Sequence, residues 1–192
     1  MRFDSKSLYF IYTALLLILE TLVIITPLIE FSDKQTGEAL YSAFAQTCHQ
    51  KLSRSFCLFK TDGGYLIDDC TPQTGVFVPN DNTLLLVERN GLVGYKFPVC
   101  ARCLALYTFA LIGALAYPLL RRIEEKRLPP AIYFVIAILP LAIDGTLQFV
   151  STTGFIQHYE STNAIRLLTG GLAGFALSFY VIPIIMALFG ED

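Results

Sequence analysis

The sequence predicts an all-α membrane protein with four transmembrane helices and a long non-cytoplasmic loop containing a small β-hairpin element. Hydrophobic residues make up 54% of the 192 residues, and charged residues only 16%, against about a quarter in soluble domains. Four apolar runs are each long enough to cross a hydrocarbon core of about 30 Å at 1.5 Å per residue. The predicted partner is therefore the lipid bilayer. A net charge of −2 without a long Lys/Arg cluster excludes nucleic acid.

The first transmembrane helix is predicted over residues 1–29. The sequence Thr26-Pro27-Leu28-Ile29-Glu30 lacks the small residues of a signal-peptide cleavage site, so we interpret this run as an uncleaved helix. Glu20 lies near its middle, where an ionisable side chain is costly and usually faces the bundle interior. Two interpretations stay open for Glu20: a protonated, hydrogen-bonded structural residue, or a functional one.

Residues 30–97 form the predicted extramembrane loop. Residues 38–47 suit a short interfacial helix with Leu40, Tyr41 and Phe44 towards lipid. Apolar, β-favouring runs at 83–89 and 92–99 flank Asn90-Gly91, which is the strongest short hairpin signal.

Residues 75–78 suit a third strand of this loop. A β element of this size is marginal alone, and a disulfide between Cys57 and Cys70 would help to hold it.

The remaining helices are predicted over residues 98–120, 131–150 and 164–189, and the whole chain forms a single domain. The 121–127 loop carries four basic residues and the 151–163 loop none. The positive-inside rule therefore places the N- and C-termini in the cytoplasm and residues 30–97 on the non-cytoplasmic side. All five cysteines then fall on or near a side that permits disulfides.

Polar residues of the last two helices are predicted to share one depth. Asp144 and Gln148 lie one turn apart on one face of the third helix, and Arg166 lies near the start of the fourth. We expect an ion pair between Asp144 and Arg166. Arg54, in the long loop, is expected to meet Glu160.

Several short motifs lie between residues 44 and 174. They are Cys48-His49-Gln50, Arg54-Ser55-Phe56, Pro98-Val99-Cys100-Ala101-Arg102-Cys103 with Tyr107, Asp144-Gly145-Thr146 with Gln148, and Arg166 with Thr169-Gly170. Together they resemble a family of small predicted membrane proteins known only as a domain of unknown function. The resemblance implies a shared site but no activity. Leu104-Ala105 replaces the Thr-Gly of the family pattern, and the 60–96 insertion is longer.

The cysteines of these motifs predict a metal site. Cys100 and Cys103 can bind one ion together, and Cys48 and His49 can complete a tetrahedral set. Sulfur and imidazole ligands suit zinc first, with copper or iron as alternatives. Because adjacent residues rarely both bind one ion, His158 or Asp144 could replace Cys48 or His49. Arg102, Arg54, Asp144, Gln148 and Arg166 form a supporting polar cluster.

Two other functions stay open, as does whether the protein is an enzyme. A Cys-x-x-Cys pair at a helix start has a lowered thiol pKa, which suits a membrane thiol–disulfide oxidoreductase with Cys57 and Cys70 as electron shuttle. Alternatively, Cys48 bonds to Cys100 or Cys103 in a structural subunit that binds other membrane-protein subunits. A lipid-headgroup hydrolase has less support, since the sequence carries no nucleophile elbow or phosphate-binding loop.

Overall fold

The computed structural model of the protein describes residues 3–48, 50–71 and 85–191. In these ranges, four helices are long and apolar enough to cross a membrane: α1 (Ser5–Ser32), α3 (Ala101–Leu120), α4 (Ala131–Thr152) and α5 (Asn163–Phe189). A shorter helix, α2 (Lys34–Ala45), follows α1. The predicted fold class, a multi-pass helical protein with a β element between the first two spans, is confirmed.

Helices α3 and α5 form the centre of the bundle, with α1 packed mainly on α3 and α4 on α5. Glycines on both central helices allow this close packing. A Cβ added to Gly174 would lie 2.2 Å from the carbonyl oxygen of Leu106, and one added to Gly113 would lie 2.7 Å from that of Phe175. Any larger residue would push the helices apart, so the glycine spacing on α5 serves packing.

The first and last described residues of the chain lie together at one end of the helix bundle. The N–H of Phe3 donates to the carbonyl of Phe189 (2.9 Å), and the N–H of Glu191 donates to that of Phe3 (3.0 Å). Beside them, the hydroxyl of Tyr9 donates to the carbonyl of Ala114 (3.0 Å). The loop that follows α3 therefore shares this end with both described ends of the chain.

The opposite end carries a four-stranded antiparallel sheet. Its strands are β1 (Phe56–Thr61), β2 (Gly64–Asp69), β3 (Leu86–Arg89) and β4 (Leu92–Lys96), in the order β2-β1-β4-β3. Asn90 and Gly91 have φ values of 52° and 77°, as a tight hairpin turn requires. The hairpin at this dipeptide is therefore present. The strand predicted at 75–78 lies outside the described residues.

Helix α2 buries Tyr41 and Phe44, so the expectation that they face lipid is wrong, whereas Leu40 is only half-buried. The hydroxyl of Tyr41 donates to the carbonyl of Lys96. Phe44 packs in an apolar cluster with Val23 and Leu58. The sheet lies over the end of α1 and covers this face of α2, so the apolar side chains contact protein there.

Candidate metal centre

Three cysteines from separate parts of the chain meet at the sheet end of the bundle. Cys48 follows α2, Cys100 is the N-cap residue of α3, and Cys103 lies in the first turn of that helix. Their sulfur atoms all lie within 4.8 Å of one another. All three are half-buried free thiols, so the bond considered between Cys48 and Cys100 or Cys103 is not formed.

The segment around Cys48 is held in place by a strained residue. Gln50 has a φ of 50°, in the left-handed region that few non-glycine residues adopt. Its side-chain amide donates to the carbonyl of Tyr41 (2.8 Å), and its own carbonyl accepts from the buried ammonium of Lys96 (2.6 Å). These contacts fix the turn that aims Cys48 at the start of α3.

The thiols of Cys48 and Cys100 differ in acidity because of the hydrogen bonds within the cluster. Hydrogen bonds from Cys103 and Cys48, with those from the backbone at the start of α3, hold the pKa of Cys100 well below its ordinary value. The pKa of Cys48 is raised, chiefly because its thiol hydrogen-bonds to Cys100. The backbone N–H of Cys100 also donates to the sulfur of Cys48 (3.3 Å). Of these two thiols, Cys100 is therefore the first to ionise.

The spacing of the sulfurs fits a tetrahedral metal. Zinc–sulfur bonds of about 2.3 Å place two tetrahedral sulfur ligands about 3.8 Å apart, so a small contraction from the 4.8 Å limit would suffice. His49, predicted as a ligand, lies outside the described residues. Among those described, neither His158 nor Asp144, the considered substitutes for Cys48 or His49, groups with the three sulfurs.

Asp144 is engaged by the residue between the two cysteines of α3. The guanidinium of Arg102 forms an ion pair with its carboxylate and lies 3.3 Å from the Gln148 amide oxygen. The hydroxyl of Tyr159 donates to the other Asp144 oxygen (2.8 Å), and this bond raises the pKa of Tyr159. Arg102 thus connects the start of α3 to α4 and to the loop that follows α4.

The carboxylate of Glu160 pairs with Arg54 and Arg166, the other two arginines of the predicted polar cluster. Arg54 donates to its carboxylate (2.7 Å), and Arg166, which is 1% exposed, forms an ion pair with it. The contact expected between Arg54 and Glu160 is therefore present. The prediction of an ion pair between Asp144 and Arg166 is wrong. The α4–α5 loop brings Glu160 against Arg166, and Asp144 pairs with Arg102 instead.

Three contributors to this polar cluster were missed by sequence reasoning. Ser161 lies 3.4 Å from the Arg102 guanidinium, and Tyr159 contacts Asp144 as described. Asn163 accepts from Arg166 (3.1 Å) and donates to Asp69 (2.7 Å), which links α5 to the sheet. The signal in the sequence was the polar run before α5, since helical side chains tilt towards the N-terminus of their helix and so towards the preceding loop.

The predicted disulfide pair lies apart from the three free thiols. Cys57 and Cys70 form a disulfide, and they are 0% and 1% exposed under Leu52 and Phe59. No external thiol can reach this bond without opening the sheet, so it does not suit the electron shuttle considered for it.

Glu20, within the bundle, accepts a hydrogen bond from Thr108 (2.6 Å).

These features define the class of protein: a multi-pass helical membrane protein with a thiol cluster at one end of its bundle. The family model described as "Predicted membrane protein (DUF2085)" matches residues 90–180, which include Cys100, Cys103, Asp144, Gln148 and Arg166. An uncharacterized protein of Methanocaldococcus jannaschii, MJ1492, is 31% identical over 145 residues, which cover 76% of this chain and 67% of that protein. The chain belongs to this family of membrane proteins. No solved structure matches it.

Proposed function

We propose that the protein is a membrane metal-binding protein that holds one ion, zinc by preference, through Cys48, Cys100 and Cys103. The observation that carries this proposal is that the sulfur atoms of three free cysteines lie within 4.8 Å of one another. Thiolates are favoured ligands of zinc. His49, next to Cys48 in the chain, is the proposed fourth ligand, because imidazole completes a common zinc set.

The charges around the thiols suit a cluster that keeps a negative charge when it holds its ion. Three thiolates and one divalent ion carry a net charge of −1. The neighbouring network sets Arg54, Arg102 and Arg166 against the carboxylates of Asp144 and Glu160, and the buried ammonium of Lys96 donates to the carbonyl of Gln50. These positive charges offset the negative cluster near the membrane boundary, where an isolated charge is costly.

The proposed site faces the non-cytoplasmic side. Basic residues Arg121, Arg122, Lys126 and Arg127 lie at the end of the bundle opposite the thiols, and short basic loops stay in the cytoplasm. The described ends of the chain share the basic end. A reporter fused to the C-terminus tests this orientation, and a non-cytoplasmic signal would contradict it.

Elemental analysis of the purified protein tests the metal site. We expect about one zinc per chain in the wild type and none after Cys100→Ser/Cys103→Ser. Cys57→Ser/Cys70→Ser is the matched control, because it also removes two cysteines but leaves the cluster intact, and it should keep its zinc. A metal-free wild type, or a Cys100→Ser/Cys103→Ser variant that retains its metal, would contradict the proposal.

A thiol–disulfide oxidoreductase is the second candidate. It is favoured by the lowered pKa of Cys100 at the start of α3, which is typical of redox-active pairs. Because the Cys57–Cys70 disulfide is buried, the electrons would have to come from an external partner. Metal-free protein whose count of free thiols rises by two on mild reduction would support this function instead. A structural-subunit role is supported by the buried disulfide alone.

A further inference from the structure

The side of the sheet that faces the helices carries one apolar row across all four strands. Ile67 of β2 is paired with Leu58 of β1, Leu58 with Tyr95 of β4, and Tyr95 with Leu86 of β3. Directly paired residues of an antiparallel sheet point to the same side. Leu58 and Tyr95, in the middle, are each 6% exposed, whereas Ile67 and Leu86, at the two edges, are 58% and 44% exposed.

The middle of this row covers the end of the membrane-spanning helix α1. Leu58 packs with Phe44 and other members of the apolar cluster, and the ring of Tyr95 contacts the ring of Phe31, with centroids 4.7 Å apart. Phe31 belongs to the last turn of α1. The row therefore faces the level at which α1 leaves the hydrocarbon.

Tyr65 extends the same face along β2. It lies two residues before Ile67, so the two side chains point to one side. Its ring lies 5.7 Å from that of Phe31, yet the residue is 52% exposed. Tyr65 and Ile67 thus lie exposed at one edge of the sheet, on the side that faces the helices, and Leu86 lies exposed on the same side at the other edge.

We infer that the sheet rests on the bilayer surface, with Tyr65, Ile67 and Leu86 inserted among the lipid headgroups and upper acyl chains. Tyr65 and Tyr95 contact Phe31 in the last turn of the membrane-spanning helix α1, and tyrosine is enriched at this depth. Apolar side chains of interfacial elements penetrate about 5–10 Å into the headgroup region. This binding surface is independent of any metal at the thiols.

The competing occupant is a second protein chain added to the edge of β2. Such a chain would contact both faces of the strand, including Leu66, which points away from the helices and is 47% exposed. Lipid beneath the sheet would contact Tyr65 and Ile67 but leave Leu66 in water. Comparing Leu66 with Tyr65 and Ile67, on the opposite face of β2, therefore distinguishes lipid from a second protein chain.

The chain contains no tryptophan, so a single introduced tryptophan reports on one site. We would reconstitute Tyr65→Trp, Ile67→Trp and Leu86→Trp, with Leu66→Trp as the matched control, in phosphatidylcholine vesicles with plain or brominated acyl chains. All four positions are exposed, and circular dichroism checks that each variant folds. Fluorescence quenching by bromine measures proximity to the acyl chains, and quenching by aqueous iodide measures access to water.

We expect bromolipid to quench the tryptophans at 65, 67 and 86 several-fold more than the one at 66, and iodide to show the reverse order. Equal bromolipid quenching at all four positions would overturn the inference. So would strong iodide quenching at 65 and 67. Shielding from both quenchers at 65, 66 and 67, lost when the protein is diluted in lipid, would identify a second copy of the chain as the occupant and would equally overturn it.

Discussion

Gly170 lies directly against the main chain of Arg102. A Cβ built at position 170 would come within 2.4 Å of the carbonyl oxygen of Arg102. Helix α5 therefore meets α3 at the turn that carries Cys100 and Cys103. The same contact brings Arg166, one turn earlier on α5, to the level of the thiols. The glycine spacing thus sets the distance between the thiol cluster and its charged neighbours.

Gly170→Ala should destabilise the protein, because the added Cβ meets a backbone atom that cannot rotate away. We expect a loss of about 2 kcal/mol in the free energy of unfolding, measured as a lower Tm in detergent. Gly145→Ala is the matched control, since its Cβ would lie 3.8 Å from the nearest heavy atom, the Arg102 guanidinium nitrogen. Equal melting temperatures for the two variants would contradict the close packing described.

Asp144→Asn should leave the Arg102 guanidinium without its counter-charge. Asp144 is 5% exposed, and breaking such a buried pair costs about 3 kcal/mol of stability. Tyr159→Phe removes only one hydrogen bond to Asp144 and should cost about 1 kcal/mol. Replacing both partners, Arg102→Met with Asp144→Leu, should recover stability relative to Asp144→Asn. Denaturant unfolding of the four proteins measures these differences, and a double variant weaker than Asp144→Asn would contradict the pairing.

Cys57→Ser/Cys70→Ser should destabilise the sheet. The bridge joins residues 13 positions apart, and closing a loop of that size stabilises the folded state by about 3 kcal/mol. Hydrogen exchange should therefore accelerate in β1 and β2 and change little in α3 and α5. Exchange that is unaltered in the strands would show that the disulfide does not hold the sheet.

Lowering the pH should loosen the start of α2. The carboxylate of Asp33 accepts hydrogen bonds from the side chain and backbone of Thr36, which lower its pKa from the ordinary 3.8. A group whose pKa is lowered by folding stabilises the folded state in its charged form. This contribution is complete at neutral pH, declines below about pH 3.8, and is lost as the pH falls through the folded pKa.

Asp33→Asn provides the control for this pH dependence, because asparagine also caps helices but does not titrate. Amide chemical shifts of Gln35 and Thr36 should change in acid in the wild type and stay constant in the variant. Parallel changes in both proteins would assign the acid response to another group.

The membrane spans could be predicted from the sequence because each depends on local hydrophobicity and length. The Asn90-Gly91 hairpin could be predicted for a similar reason, since two residues determine the turn. The partners of Arg102 and Arg166 could not. Depth along a helix follows from counting residues, but the direction a side chain faces depends on how the helices are rotated and on where the α4–α5 loop folds.

The lipid-facing assignment of Tyr41 and Phe44 failed for a related physical reason. An amphipathic helix shows which of its faces is apolar but not what covers that face, and here the sheet covers it. The Cys48 position illustrates the same limit. Its sequence neighbours suggest ligand chemistry, whereas its approach to Cys100 depends on the left-handed turn at Gln50.

The central helix pair, α3 and α5, is separated in the chain by α4. During membrane insertion α3 therefore enters the bilayer before its principal partner has been synthesised. Arg166 and Glu160 join Arg54 and Arg102 in the polar network near the thiols only after α5 has docked beside α3. Until then this network is incomplete, so the charged surroundings of the thiol cluster are completed late, after insertion, in the biogenesis of the protein.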